Sequence, residues 1–285
     1  MVGGFPTFRA SAPLTQMVGL SPFGLLINLA GTWMGKGFNL VSVPLSPQSR
    51  GSNPGAPTFA PKISATREVL VITPLGSPVP NRGFVEDDIF LFGLTYLQVV
   101  NDVSTLEARH FETGLWLNIP DTSPPTVARQ AVIPHGDSLL ARGTVTESDG
   151  SPQIPAVSTR PIDISTQQPI NDVQFLAPFK SLTLPPEIPP GSIDDPNEVL
   201  RKVIQSQTIS RTTTIDVSAS QDDIVNLPFI RNNANVVSLK ATFWIESVLL
   251  DNGMEFSQLQ YSQIVMLRFD GLDWPHISVA TLLSQ

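Results

Sequence analysis

The chain contains no cysteine, which excludes disulfides, iron–sulfur clusters, thiolate-ligated haem and cysteine zinc sites. Charge is sparse as well: charged residues make up 15%, with a formal net charge of -8 and a pI near 4.8. No basic cluster offsets that balance, so no nucleic-acid partner is expected. Long apolar runs are missing too. The run 25–30 is bounded by Gly24 and Gly31, well short of the roughly 18 residues that span a bilayer. Residues 1–13 have no apolar core of signal-peptide length. These absences lead us to expect a soluble, cytoplasmic protein with no membrane span. Histidine is scarce as well, at three residues, so any role needing an imidazole falls to His110, His135 or His276.

What the chain does have is proline (27) and strand-like sequence. Residues 236–250 and 256–269 are rich in β-branched and aromatic residues and flank Asp251-Asn252-Gly253, a hairpin signal. Asp270-Gly271 reverses the chain again before a last strand at 274–283, which opens on His276. Earlier strands are expected at 67–73, 89–100 and 106–119. A hairpin over 128–145 turns at 133–138, where Gly136 supplies positive φ and His135 reads as a solvent-exposed turn residue. Residues 21–30 form a helix or turn leading into a strand whose Gly31, Gly35 and Gly37 beside Trp33 mark a sharp bend or close backbone approach.

Alternation along 106–116 puts His110, Glu112, Gly114 and Trp116 on one face. From Thr146 to Asn235 prolines recur and the period-2 pattern weakens, although residues 209–217 read as a further strand, which the barrel would include. One helix is expected there, with Asp195 capping it, Pro196 at its first position and Val199, Leu200, Val203 and Ile204 on one face. The chain therefore reads as all-β: one antiparallel barrel domain over 1–285, an N-terminal extension at 1–28, and a Pro-rich insertion at 146–235 lying over the barrel as a lid. Phosphate-binding loops, nucleophile elbows and His-Glu-x-x-His are absent.

Four short stretches carry a resemblance. Leu29-Ala-Gly-Thr-Trp-Met-Gly-Lys-Gly37 resembles the opening motif of nitrobindin-type haem proteins, and His110-Phe-Glu-Thr-Gly-Leu-Trp116 is similar to their His-x-Glu-x-Gly strand. Ala131-Val-Ile-Pro-His-Gly-Asp137 with Arg142-Gly143 resembles the next hairpin, and Pro275-His-Ile-Ser-Val-Ala-Thr-Leu282 the closing strand. The four occur in the family's order and cover about half the chain, and residues 146–235 have no counterpart.

The resemblance implies a closed antiparallel barrel of about ten strands, shaped like fatty-acid-binding proteins. It also implies a ferric haem b ligated by His276, with His110 on the wall of the same cavity. Family members bind nitric oxide and can isomerise peroxynitrite, so a peroxynitrite isomerase or peroxidase-like activity is one expectation. The candidate sites are then His276 as metal ligand, and His110 with Glu112 as the catalytic pair. Trp33, Phe38 and Met266, aided by Phe243 and Ile264, are candidates to wall a flat apolar slot. Gln258, Gln260 and Gln263 are candidates to orient the ligating imidazole. Two other readings stand beside this one: a haem-free barrel holding an apolar small molecule, and a non-haem metal enzyme using His110, Glu112 and His276, with or without His135. In each case the partner is a small molecule (a diatomic gas, a peroxide or an apolar compound), and a homodimer stays open.

Overall fold

The computed structural model describes residues 21–50, 57–85, 87–119 and 126–285. Ten long strands form the frame: β1 (Gly31–Pro44), β2 (Phe59–Pro74), β3 (Ile89–Asp102), β4 (Ala108–Ile119) and β5 (Thr126–Ile133), then β6 (Asp137–Asp149), β7 (Thr208–Ala219), β8 (Asn235–Leu249), β9 (Glu255–Phe269) and β10 (Leu272–Ser284). Each pairs antiparallel with the next, and β10 returns to β1, with Gly35 opposite Leu282 and Leu40 opposite Ile277. The barrel is closed, which leaves no long edge strand open to other chains.

Local chemistry makes the corners. Asp270 (φ 53°) and Gly271 (φ 74°) form a two-residue turn between Phe269 and Leu272, the tight reversal that matches strand twist. Asn252-Gly253 sits instead in a five-residue loop, where Asn252 Oδ1 accepts from the Met254 N–H at 3.0 Å. On β1, a Cβ at Gly35 or Gly37 would lie 2.1 Å from a β10 carbonyl oxygen, so only glycine permits this close approach at the seam.

The two ends of the interior differ. Trp33 pairs with Ser284 and Asn39 with Ser278, six residues apart and so roughly 20 Å along β1. At the Trp33 end the lumen is solid. A short 3-10 helix, Gly24–Leu29, inserts Leu26 and Leu29 among Trp33, Leu94, Trp116 and Val127, all buried. The Trp33 indole donates to the Leu29 carbonyl at 2.9 Å, fixing plug to wall. The Asn39 end is hollow.

Residues 150–207, between β6 and β7, pack on the outer wall. Ile154, Val157, Phe179, Leu200 and Ile204 cover outward-facing Phe38, Leu40, Trp244 and Val279 in a second apolar core. Three expectations change here. The strand expected at 209–217 is the barrel strand β7, so within 146–235 the chain leaves the barrel in two excursions, 150–207 and 220–234, rather than one. Leu200 and Ile204 do anchor the helix Glu198–Ile204, but against the flank of the barrel and not over its mouth. Asp195 sits two residues before Asn197, the residue at the helix N-cap, and so does not cap it. It accepts from the Val157 and Asn197 N–H groups at 3.0 and 3.2 Å and pairs with Arg201, stapling the segment together. The mouth is narrowed by the second excursion, 220–234, whose Ile224, Ile230 and Ala234 face the hollow.

Candidate functional site

The hollow end encloses a cavity of about 300 Å³. Strand alternation decides who faces it. From β9 come Tyr261, Gln263, Val265 and Leu267; from β10, His276 and Ser278; from β4, His110. His135, at the turn between β5 and β6, closes the set, so all three histidines of the chain line one cavity. His135 is solvent-exposed, as expected of a turn residue, yet its ring centroid lies 5.6 Å from that of His110. Val100, Ile133, Leu139, Val236 and Leu239 give the walls their apolar character.

His276 is half-buried, and among the described residues nothing hydrogen-bonds its ring. Burial, then the His110 and His135 charges, push its imidazole down to about 4, so it is neutral at pH 7. A neutral imidazole with a free nitrogen is the form that ligates iron. None of the three glutamines expected to orient it does so. Gln258 and Gln260 point outward, where Gln258 donates to Glu246 at 2.7 Å and Gln260 to the Leu200 carbonyl at 3.1 Å. Gln263 faces inward but accepts from Arg129 at 2.8 Å.

His110 is held by Glu112, its Nε2 standing 3.1 Å from Glu112 Oε2. A bulge at Arg109, opposite Val100 and Asn101, resets the alternation just before His110. Glu112 is also bonded by Tyr96 and, at 2.5 Å, by Arg129. Burial alone would raise the Glu112 carboxyl, but Arg129, then His110 and Tyr96, hold it at about 2. Arg129 in turn lies over the rings of Tyr96, Trp116 and Phe243 at 5.4–5.6 Å. This buried pair separates the solid end from the hollow one.

A second buried carboxyl, Glu68, accepts from Tyr261 at 2.7 Å and Gln98 at 3.3 Å, and both partners line the cavity. Burial raises its pKa. Asp137 stands near the mouth with a raised pKa, again from burial, and an unpartnered Oδ1.

The remaining slot residues are not brought together with His276. Trp33 faces inward but belongs to the solid end, while Phe38, Ile264 and Met266 have outward parity and lie on the other side of the wall. Phe243 faces inward beside Trp116, at 5.3 Å. Arg129, Glu68 and Asp137 were not anticipated. For Arg129 a signal existed: a cation at the inward position of Val127-Ala-Arg-Gln-Ala131 must find a buried partner.

Among the described residues no group of three or more His, Asp or Glu is arranged to hold a metal ion, which removes the observation that a non-haem metal centre would need. A haem held by one imidazole would require no such group, and the residues present fit that: His276 is a free, neutral imidazole in a largely apolar cavity. No helix among the described residues is long and apolar enough to cross a membrane. No family model matches the sequence, and no curated protein is similar to it. Among solved structures, the crystal structure of Rv2717c from M. tuberculosis is similar over 96% of this chain and 98% of that one, at 16% identity and a TM-score of 0.43.

Proposed function

We propose that the hollow end of the barrel binds haem b through His276 and acts on small nitrogen oxides or peroxides. The observation that carries this reading is the convergence of all three histidines on one apolar cavity, with His276 unpartnered and neutral. When bound, a histidine-ligated ferric haem supplies a redox-active Lewis acid open to nitric oxide, peroxynitrite or a peroxide.

The chain's own residues do the rest. His276 offers its lone pair and leaves the apolar wall to exclude competing water. His110, anchored by Glu112, is positioned to donate or accept a proton at its ring, with His135 beside it at the mouth. Because Arg129 holds Glu112 ionised, the carboxylate fixes the orientation of His110 without exchanging protons near neutrality. Peroxynitrite isomerisation or a peroxidase-like turnover are the activities this arrangement suits.

Haemin titration into the purified protein tests the proposal: a Soret band saturating at one equivalent is expected, and no change would refute it. A haem-free carrier of an apolar small molecule is the second reading, favoured by the largely apolar lining. It is decided by the same titration together with mass spectrometry of an organic extract.

A further inference from the structure

We propose that the protein has a second ligand site on the outside of the barrel, roofed by residues 155–169, for an organic carboxylate with an apolar body and a hydroxyl near its head. The site is a cavity of about 430 Å³ between the outer faces of β8 and β9 and the excursion that leaves the barrel after β6. Its volume falls within the usual range of small-molecule pockets, roughly 300–1,000 Å³.

Three features define what it takes. First, Trp244, Ile264 and Met266 give it an apolar wall. Second, Lys240 and Arg160 line it, and no aspartate or glutamate does. Neither cation forms an ion pair among the described residues, in a chain whose net charge is -8. An anionic head answers that imbalance. Third, two polar side chains are buried in the lining without a full set of partners. Asn197, 1% exposed, donates through Nδ2 to the Pro155 carbonyl at 2.8 Å, which leaves Oδ1 with no donor. The Ser262 hydroxyl, 6% exposed, makes no hydrogen bond among the described residues. An unmet buried acceptor in the lining calls for an O–H or N–H on the ligand, because leaving it unmet is costly. A carboxylate alone supplies acceptors only, so a neighbouring hydroxyl is required.

The site shares no lining residue with the histidine cavity. Its backing wall is the same pair of strands, read at the other parity: Ser238, Lys240 and Ile264 face out, while Leu239 and Val265 face in.

The test is calorimetric titration of the full chain with 3-hydroxydecanoate, beside decanoate and decanol. We expect one equivalent of 3-hydroxydecanoate to bind, decanoate more weakly and decanol weakest. Lys240 is solvent-exposed, so Lys240→Gln leaves the fold intact and should weaken 3-hydroxydecanoate about tenfold, the loss of one charge-assisted hydrogen bond, without changing decanol. Ser238→Phe, which obstructs the outer cavity, should abolish binding, and Ser278→Phe, which obstructs the inner one, should not. No binding by wild type, equal binding in Lys240→Gln, or loss in Ser278→Phe with retention in Ser238→Phe would each overturn the proposal.

Discussion

The two ends of the barrel interior are lined by the same ten strands, yet one is solid and the other hollow. At the solid end the inward positions carry Trp33, Trp116 and Leu94, and the chain adds Leu26 and Leu29 as a plug. At the hollow end the inward positions of β1 and β10 carry Asn39, His276 and Ser278, which are smaller and polar, and the added segment 220–234 covers the mouth instead of filling it. Cavities in barrels of this width arise where large side chains are withheld. The division of labour is clear: one end holds the barrel shut and the other is free to carry imidazoles. Between them lies the Glu112–Arg129 pair, buried on both sides.

The most severe disruption should come from that partition. Arg129→Met strands a buried carboxylate and is expected to cost about 3–5 kcal/mol in urea denaturation. Adding Glu112→Leu should restore much of the loss, since an apolar pair leaves no charge unpaired. A single-variant cost under about 1 kcal/mol would mean that the pair is hydrated and the two ends communicate.

Next comes the plug. Leu26 is fully buried, so Leu26→Ala should cost about 2–5 kcal/mol through lost burial and an unfilled void. Haemin uptake should be unchanged, because the site is at the far end. Coupled loss of stability and uptake would break the separation.

The outer wall supplies a pH prediction. Glu246 faces outward under the excursion, fully buried, and burial raises its carboxyl to about 7, with only Gln258 pulling the other way. A carboxyl raised in the folded state stabilises the fold while protonated. That contribution is full below its unfolded value near 4.5 and is lost as pH rises through about 7. Glu246→Gln should therefore exceed wild type by roughly 3 kcal/mol at pH 8 and match it near pH 4, as equilibrium unfolding at the two pH values would show. Equal stability at both would place water against that carboxyl.

The smallest effect is expected at the hollow end itself. Val265 is half-buried on the cavity wall, so Val265→Ala should cost only about 1 kcal/mol, the void being present already. A loss as large as that of Leu26→Ala would show the cavity to be tightly packed.

Much of the barrel was legible in the sequence because its signals are local. Asp270-Gly271 set a turn, the glycines of β1 marked a close seam, and period-2 alternation put His110, Glu112 and Trp116 on one face. The pairing of the last strand with the first followed from closure. What the sequence could not convey was which face is inside. Phe38 and Met266 are as apolar as any core residue, yet they face outward, because the excursion 150–207 gives the outer wall a core of its own. Apolar character marks burial, and here both faces of the wall are buried. Even inside the Pro-rich segment β7 was legible, because residues 209–217 are β-branched at most positions and hold no proline. The convergence of His135 on His110 depends on a turn folding back over the mouth, a long-range fact that no spacing encodes.

The unpartnered His276 at the hollow end is proposed as the haem ligand. The most direct measurement is haemin titration followed by absorption, comparing wild type with His276→Ala and His110→Ala across pH. Wild type and His110→Ala should both develop a Soret band at one equivalent. Ligation should persist as pH falls toward about 4, where the His276 imidazole begins to protonate, and His276→Ala should show no saturable band. An unaltered Soret band in His276→Ala would exclude His276 as the ligand.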